Sequence, residues 1–415
     1  MLQYTDDTLI AVYSFTRQIE GEEVVIGRPD TNVFLVLPLD AVELLDYLAN
    51  GNTVSEAQSL YQQKYDEIPD IQELLEVLES KGFIQPLVNN IHTNLFIDKT
   101  PLPHSAKQTS SRFHFINFPQ SLAQKLFSRP VLIGCGCLIG LALLAITIDP
   151  SLLPGWSAHF FSKNLTLMRL FLISMSYGTL FLHEMAHLIA AKAVGVSSRM
   201  GISNRLWILV AETDMTGIWS VPQNQRYLPF LAGPLLDAVS ASVIILTLFA
   251  NSRGWLSLSA AVWQLSRAML LIYLLRLLWQ CYFFVRTDFY YVIANFFRCK
   301  SLMKDTEVFL RNQVARVFYV INRVNQSHIK ASERRVIRCF AILWLGGRIA
   351  AFSTLIFISI PLVWNYYLAI FTTLGTGYQA NPYAFIDALL MFLIVFTPQG
   401  LGFLLWIRSF FTKRG

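Results

Sequence analysis

Six long apolar runs constrain this chain more than any other feature. They cover approximately Val131–Ile148, Leu165–Val194, Tyr227–Ala250, Ala260–Val285, Val336–Ile370 and Tyr383–Ile407. A helix that crosses a ~30 Å hydrocarbon layer needs about 20 apolar residues, because it must close its own backbone hydrogen bonds there. The fourth run is followed by a second apolar stretch, Phe289–Phe297, which extends the same helix if no break intervenes. The fifth is long enough to tilt strongly or to break near Pro361. The pattern predicts a mainly α protein built as a six-span transmembrane helical bundle.

The rest of the chain is a different object. Charged residues make up 14% of the whole, against about 25% in a soluble domain, and the shortfall lies beyond residue 115. This divides the chain into an amino-terminal domain over 1–90, a polar linker over 91–128, and a membrane domain over 129–415. The segment Met1–Arg17 has acids and no apolar core, unlike a signal peptide. Basic residues flank alternate ends of the apolar runs: Lys125 and Arg129, then Lys192, Arg199 and Arg205, then Arg298 to Arg338, and finally Arg408, Lys413 and Arg414. By the positive-inside rule both termini are expected in the cytoplasm. The net charge of +6 therefore belongs to membrane orientation, with the lipid bilayer as partner, and is no footprint for nucleic acid. The basic stretch Arg298–Arg335 reads as an amphipathic segment on the membrane surface. The five cysteines form no C-x-x-C pair and read as packing residues.

The second run contains the chemistry. His183 and His187 are four residues apart, which puts both imidazoles on one helix face about one turn from each other. That spacing lets two ring nitrogens reach one Zn2+. Glu184 follows the first ligand, placed to accept a proton from a water that the ion activates, the chemistry of H-E-x-x-H. Ionisable groups are costly inside a bilayer and mark function when they occur there. A catalytic zinc usually takes a third protein ligand. The acids available in or near the later runs are Asp237, Asp288 and Asp387, with Glu212 and Asp214 in the intervening loop.

These residues resemble the site-two protease family of intramembrane zinc metalloproteases, over a core of about 165–305. The resemblance rests on Phe181-Leu-His-Glu-Met-Ala-His-Leu188, on Leu231-Ala-Gly-Pro-Leu-Leu-Asp237, and on Thr287-Asp288-Phe-Tyr-Tyr291. It is nearest to the peptide zinc metalloprotease branch of bacterial peptide-modification and export systems. The resemblance implies His183, His187 and Asp288 as zinc ligands and Glu184 as the catalytic base. It implies Gly233, Pro234 and Asp237 near bound substrate, a location in the bacterial inner membrane, and a peptide exporter as a partner. Two departures stand out: Phe289 replaces a usual glycine, and Asp237 replaces a usual asparagine. The stretch Gly195–Gln225 resembles the family's membrane-associated β-hairpin, with strands expected at Trp207–Val210 and Ile218–Val221 and an edge on which an extended peptide can pair. Gly233-Pro234 alternatively marks the start of the third helix.

Residues 20–90 read as a small α/β module: a strand over Asn32–Leu37, a helix over Leu39–Leu48 with Ala41, Leu44, Leu45 and Leu48 on one face, and a capping box Thr53-Val-Ser-Glu56 before a second helix. A third helix over Asp70–Ser80 is stopped by Lys81-Gly82, and a strand closes at Phe83-Ile84. That order is winged-helix-like and resembles the PqqD-like peptide-recognition domains, which bind a leader peptide as an added strand. Together the two resemblances imply a zinc metalloendopeptidase acting on a membrane-associated or precursor peptide. The alternative is a non-catalytic peptide-binding accessory of an exporter. A transporter needs a polar path through the spans, and Asp387, Gln280 and Gln264 are thin support for one.

Overall fold

The computed structural model of the protein describes residues 4–21, 23–28, 31, 33–86, 96–97, 118–162, 164–205, 208–299, 301–317, 322–326, 329 and 331–395. The chain divides into two units. One contains Met1–Arg112 with Val194–Arg199 and Asp214–Arg226; the other contains Phe113–Ala193, Met200–Thr213 and Tyr227–Gly415.

The first unit starts with four strands, β1 (Ile10–Tyr13), β2 (Thr16–Glu20), β3 (Glu23–Arg28) and β4 (Val33–Pro38). Three helices follow, α1 (Leu39–Ala49), α2 (Val54–Tyr65) and α3 (Ile71–Ser80), and then β5 (Ile84–Pro86) and β6 (Phe96–Ile97). One antiparallel sheet has the order β2-β3-β4; the other has β1 between an antiparallel β5 and a parallel β6. The apolar face read for α1 is the centre of the core, with Leu44, Leu45 and Leu48 buried against Ile10, Val12, Ile26 and Leu75. Thr53 and Glu56 form the capping box expected for α2, each side chain accepting from the other's backbone N–H. Asp70 caps α3, and Gly82 (φ +74°) takes the left-handed turn that leads into β5. The strands β1, β2 and β3 have no counterpart in the sequence reading. Residues Thr216–Ser220 form a tight turn in this unit, where a strand over Ile218–Val221 was expected. The buried Arg226 guanidinium pairs there with Glu20 and donates to the carbonyls of Trp219 and Val221.

The second unit opens with α4 (Gln120–Leu126), α5 (Arg129–Ile148) and α6 (Leu165–Ala193). Strands β7 (Arg199–Arg205) and β8 (Ile208–Asp214) form a two-stranded ribbon ahead of α7 (Tyr227–Ser252) and α8 (Ala260–Gln280). The remaining helices are α9 (Asp288–Phe297), α10 (Leu302–Val317), α11 (Ala331–Thr354), α12 (Ile360–Gly375) and α13 (Pro382–Val395). Among the described residues five helices are long and apolar enough to cross a membrane: α5, α6, α7, α8, and α11 continued by α12. The chain therefore reads as a multi-pass membrane protein. The sixth expected span, Tyr383–Ile407, appears as α13 as far as Val395, and the rest of it lies outside the described residues.

Two breaks bear on function. The fifth run breaks its regular helix close to Pro361. It passes through a π-helical turn at Leu355–Ser359, immediately before that proline. The fourth run does not continue to Phe297. It ends at Gln280, and a chain of tight turns carries the backbone to a fresh helix that begins at Asp288. Pro234 lies inside α7, so Gly233-Pro234 does not start that helix.

Candidate metal centre

The i, i+4 spacing on α6 places the His183 and His187 rings 4.9 Å apart, with their Nε2 atoms separated by 3.2 Å. The start of α9 brings in Asp288, whose Oδ2 lies 3.2 Å from His183 Nε2 and 3.3 Å from His187 Nε2. Two buried imidazoles and one carboxylate thus converge on one point and can hold a metal ion.

The surroundings decide which nitrogens face that point. His183 Nδ1 is 2.8 Å from Asp237 Oδ2, and His187 Nδ1 is 2.6 Å from the Pro229 carbonyl. A carboxylate and a carbonyl can only accept, so both neutral rings carry their proton on Nδ1 and donate it outward. Both Nε2 lone pairs then face the Asp288 oxygen with no donor of their own between them. Three electron-rich atoms packed this closely repel one another, and a cation at their focus removes the conflict. Histidine ligands are held in this way at metal sites, with the second ring nitrogen on a carboxylate or a carbonyl.

The third ligand is also held. Asp288 Oδ2 accepts from Gln280 Nε2 at 2.9 Å, while Gln280 Oε1 accepts from the Asp288 backbone N–H at 3.0 Å. Thr287 Oγ1 donates to the Gln280 carbonyl at 2.9 Å. The last residue of α8 and the first of α9 therefore clamp each other across the break. A continuous helix would put them about two turns apart along its axis.

Gly233 and Asp237 lie against the ligands. A Cβ added at Gly233 would collide with the Nε2 atoms of both histidines, so the backbone of α7 closes one side of the centre. Pro234, the next residue in α7, is buried. Asp237 is 1% exposed and bonds to His183 and, at 3.0 Å, to Arg276 Nη1. Arg276 also donates to Thr179 Oγ1 at 2.6 Å. The sequence reading put Gly233, Pro234 and Asp237 beside substrate. In the structure Gly233 gives the imidazoles room, and Asp237 orients the first of them.

Glu184, beside the first ligand in sequence, bonds to the ribbon. Its Oε2 accepts from the Thr213 backbone N–H at 3.2 Å and lies 2.8 Å from Thr213 Oγ1. Of the remaining acids weighed as ligands, Asp387 and Asp214 have other partners, and the side chain of Glu212 lies outside the described residues. The carboxylate of Asp387 accepts from the backbone N–H groups of Leu165 and Thr166 and caps α6. Asp214 pairs with Arg199. Sequence reasoning missed Pro229, Thr213, Gln280 and Arg276 as parts of the site. A signal existed for two of them, since Gln280 and Arg276 are polar groups in an apolar run and such groups call for a partner. No protein-family model, curated protein or solved structure matches the chain, so the family resemblance rests on the quoted motifs alone.

Proposed function

We propose that this protein is an intramembrane zinc metalloendopeptidase of the site-two protease type. The observation that carries the reading is the convergence of His183, His187 and Asp288 in a unit of membrane-length helices, with Glu184 next to the first ligand. A set of two imidazoles and one carboxylate suits zinc and leaves a position open for chemistry.

His183, His187 and Asp288 would hold the ion. When bound, it supplies Lewis acidity toward water and toward the scissile carbonyl. Glu184 takes the proton of the attacking water on a carboxylate oxygen and later gives it to the leaving amine. Asp237 and the Pro229 carbonyl keep the two imidazoles in their binding tautomer, and Gln280 keeps the Asp288 carboxylate turned inward. Because Thr213 of β8 occupies Glu184 at rest, the base exchanges that partner for water as substrate arrives. An extended substrate pairing with the ribbon presents its carbonyl to the site.

The substrate in this reading is a precursor peptide, recruited from the cytoplasm by the amino-terminal unit, whose β2-β3-β4 sheet has two edge strands. A bacterial inner membrane, cytoplasmic termini and a peptide exporter as partner belong to the same proposal. The test uses the purified full chain in lipid, wild type and Glu184→Gln, with zinc measured by elemental analysis and cleavage of a membrane-anchored peptide library read by mass spectrometry. Both proteins are expected to hold one zinc, and only the wild type to cut. A wild type without zinc, or a Glu184→Gln that cuts at the wild-type rate, defeats the reading.

A further inference from the structure

Beside the metal centre, α6 and α8 enclose a cavity of about 480 Å3. Its two arginines differ in kind. Arg276, at one end, is fully engaged with Asp237, Thr179 and the Ser176 carbonyl. Arg169, at the other end, has no carboxylate within ion-pair distance among the described residues, and its buried Nε has no hydrogen-bond partner. Its guanidinium lies 5.7 Å from the centre of the Tyr366 ring. His159 lines the cavity as well. It is 8% exposed, and its buried Nδ1 also lacks a partner. Burial and the nearby Arg169 charge push its pKa down to about 4, against a hydrogen bond to the Trp156 backbone, so near neutral pH the ring is uncharged.

Between these ends the wall is apolar, formed by Leu172, Ile272 and Leu275. Tyr177 and Trp279, also on the wall, are 48% and 51% exposed. A cavity so lined, between helices that cross a membrane, opens sideways onto lipid. Arg169 is the fifth residue of α6, roughly 6 Å along the axis from its first residue, and so lies near the depth of lipid headgroups.

We propose that the cavity between α6 and α8 is a binding site for one anionic phospholipid, its phosphate against Arg169 and His159 and an acyl chain along Leu172, Ile272 and Leu275. The cation matches a phosphate monoanion, with the uncharged ring beside it, and the apolar wall matches a chain; a soluble anion would use only the first. An unpaired cation in apolar surroundings is costly, and a lipid phosphate supplies the missing partner. The proposal depends on the membrane setting and not on the peptidase reading.

The experiment is native mass spectrometry of the full chain, delipidated and titrated with phosphatidylglycerol or phosphatidylcholine, with inorganic phosphate as competitor. The wild type is expected to retain one phosphatidylglycerol about tenfold more tightly than phosphatidylcholine, the size of one charge-assisted contact. Arg169→Gln should abolish that preference. Leu275→Trp, which narrows the cavity and leaves every charge in place, should weaken both lipids. Excess inorganic phosphate should leave the bound lipid in place. Equal retention of the two lipids by the wild type overturns the proposal. So does displacement by inorganic phosphate, which would mark a soluble-anion site, or unchanged binding in either variant.

Discussion

The two units sort polar and apolar residues in opposite ways. In the amino-terminal unit the buried set is Ile10, Ile26, Leu44, Leu45, Leu48, Leu75 and their neighbours, and ion pairs such as Arg17–Asp46 lie on the outside. In the helical unit large apolar side chains are exposed, Ile133 at 67%, Ile349 at 68% and Phe357 at 70% among them. His183, His187, Asp237, Gln280 and Thr287 are buried there. The first arrangement is driven by removing apolar surface from water. The second places apolar surface where lipid is the solvent, and its interior is specified by polar groups that satisfy one another. An exposed charge is therefore expected to matter little for the stability of the first unit, where the buried Arg226–Glu20 pair is the exception, and a buried polar group to matter most in the second.

Substitutions can break that contrast. The largest effect is expected from His183→Ala or Asp288→Ala. Each removes one of three ligands and should reduce bound metal from stoichiometric to background in elemental analysis, while the helical content in circular dichroism persists. Retention of a full equivalent of metal by either variant would mean that the centre lies elsewhere.

Next is Leu45→Ala, a cavity in the core of the first unit. It should lower that unit's stability by about 2–5 kcal/mol, read as faster hydrogen exchange in β1, β3 and α1. Metal content should not change, and a parallel loss of metal would show that the two units are not separable in this respect.

Asp237→Asn is a smaller but sharper test. It keeps shape, removes the charge between His183 and Arg276, and should weaken metal binding about 10–100-fold. Competition with a chelator of known affinity measures this. The smallest effect belongs to Arg17→Gln. It deletes a solvent-exposed pair with Asp46 and should change stability by about 1 kcal/mol or less. A thermal shift comparable to that of Leu45→Ala would undo the contrast.

Much of this was legible in the sequence, for reasons that differ by region. The spans of α5, α6 and α7 follow from hydropathy because the membrane leaves the backbone few alternatives. The α2 capping box was legible because Thr53 and Glu56 interact only with the local chain. The two imidazoles were legible because helical spacing is local too. The partnership with Asp288 was not local. It depends on the break after Gln280, which no periodicity announces; the sequence favoured that aspartate by membrane depth on a helix continuing to Phe297, and by the family resemblance. Strand β1 escaped notice because its partners β5 and β6 lie far along the chain; β2 and β3 form a local hairpin that short, mixed runs such as Thr16–Glu20 do not announce. The ribbon was misplaced toward Ile218–Val221 because short β-prone runs do not reveal register. The bond of Asp237 to His183 was not legible, because the sequence cannot show which residues face each other across a helix interface.

The reciprocal amide clamp between Gln280 and Asp288 has a consequence for how the centre is loaded. The carboxylate, like the two tethered imidazoles, has its orientation set by protein partners alone. The ligands are thus positioned by the fold as well as by any ion they hold, unlike those of small zinc domains whose folding and metal uptake are one event. On the proposed reading, a chelator is therefore expected to stop cleavage while the helices stay folded, and refilling with metal to restore it.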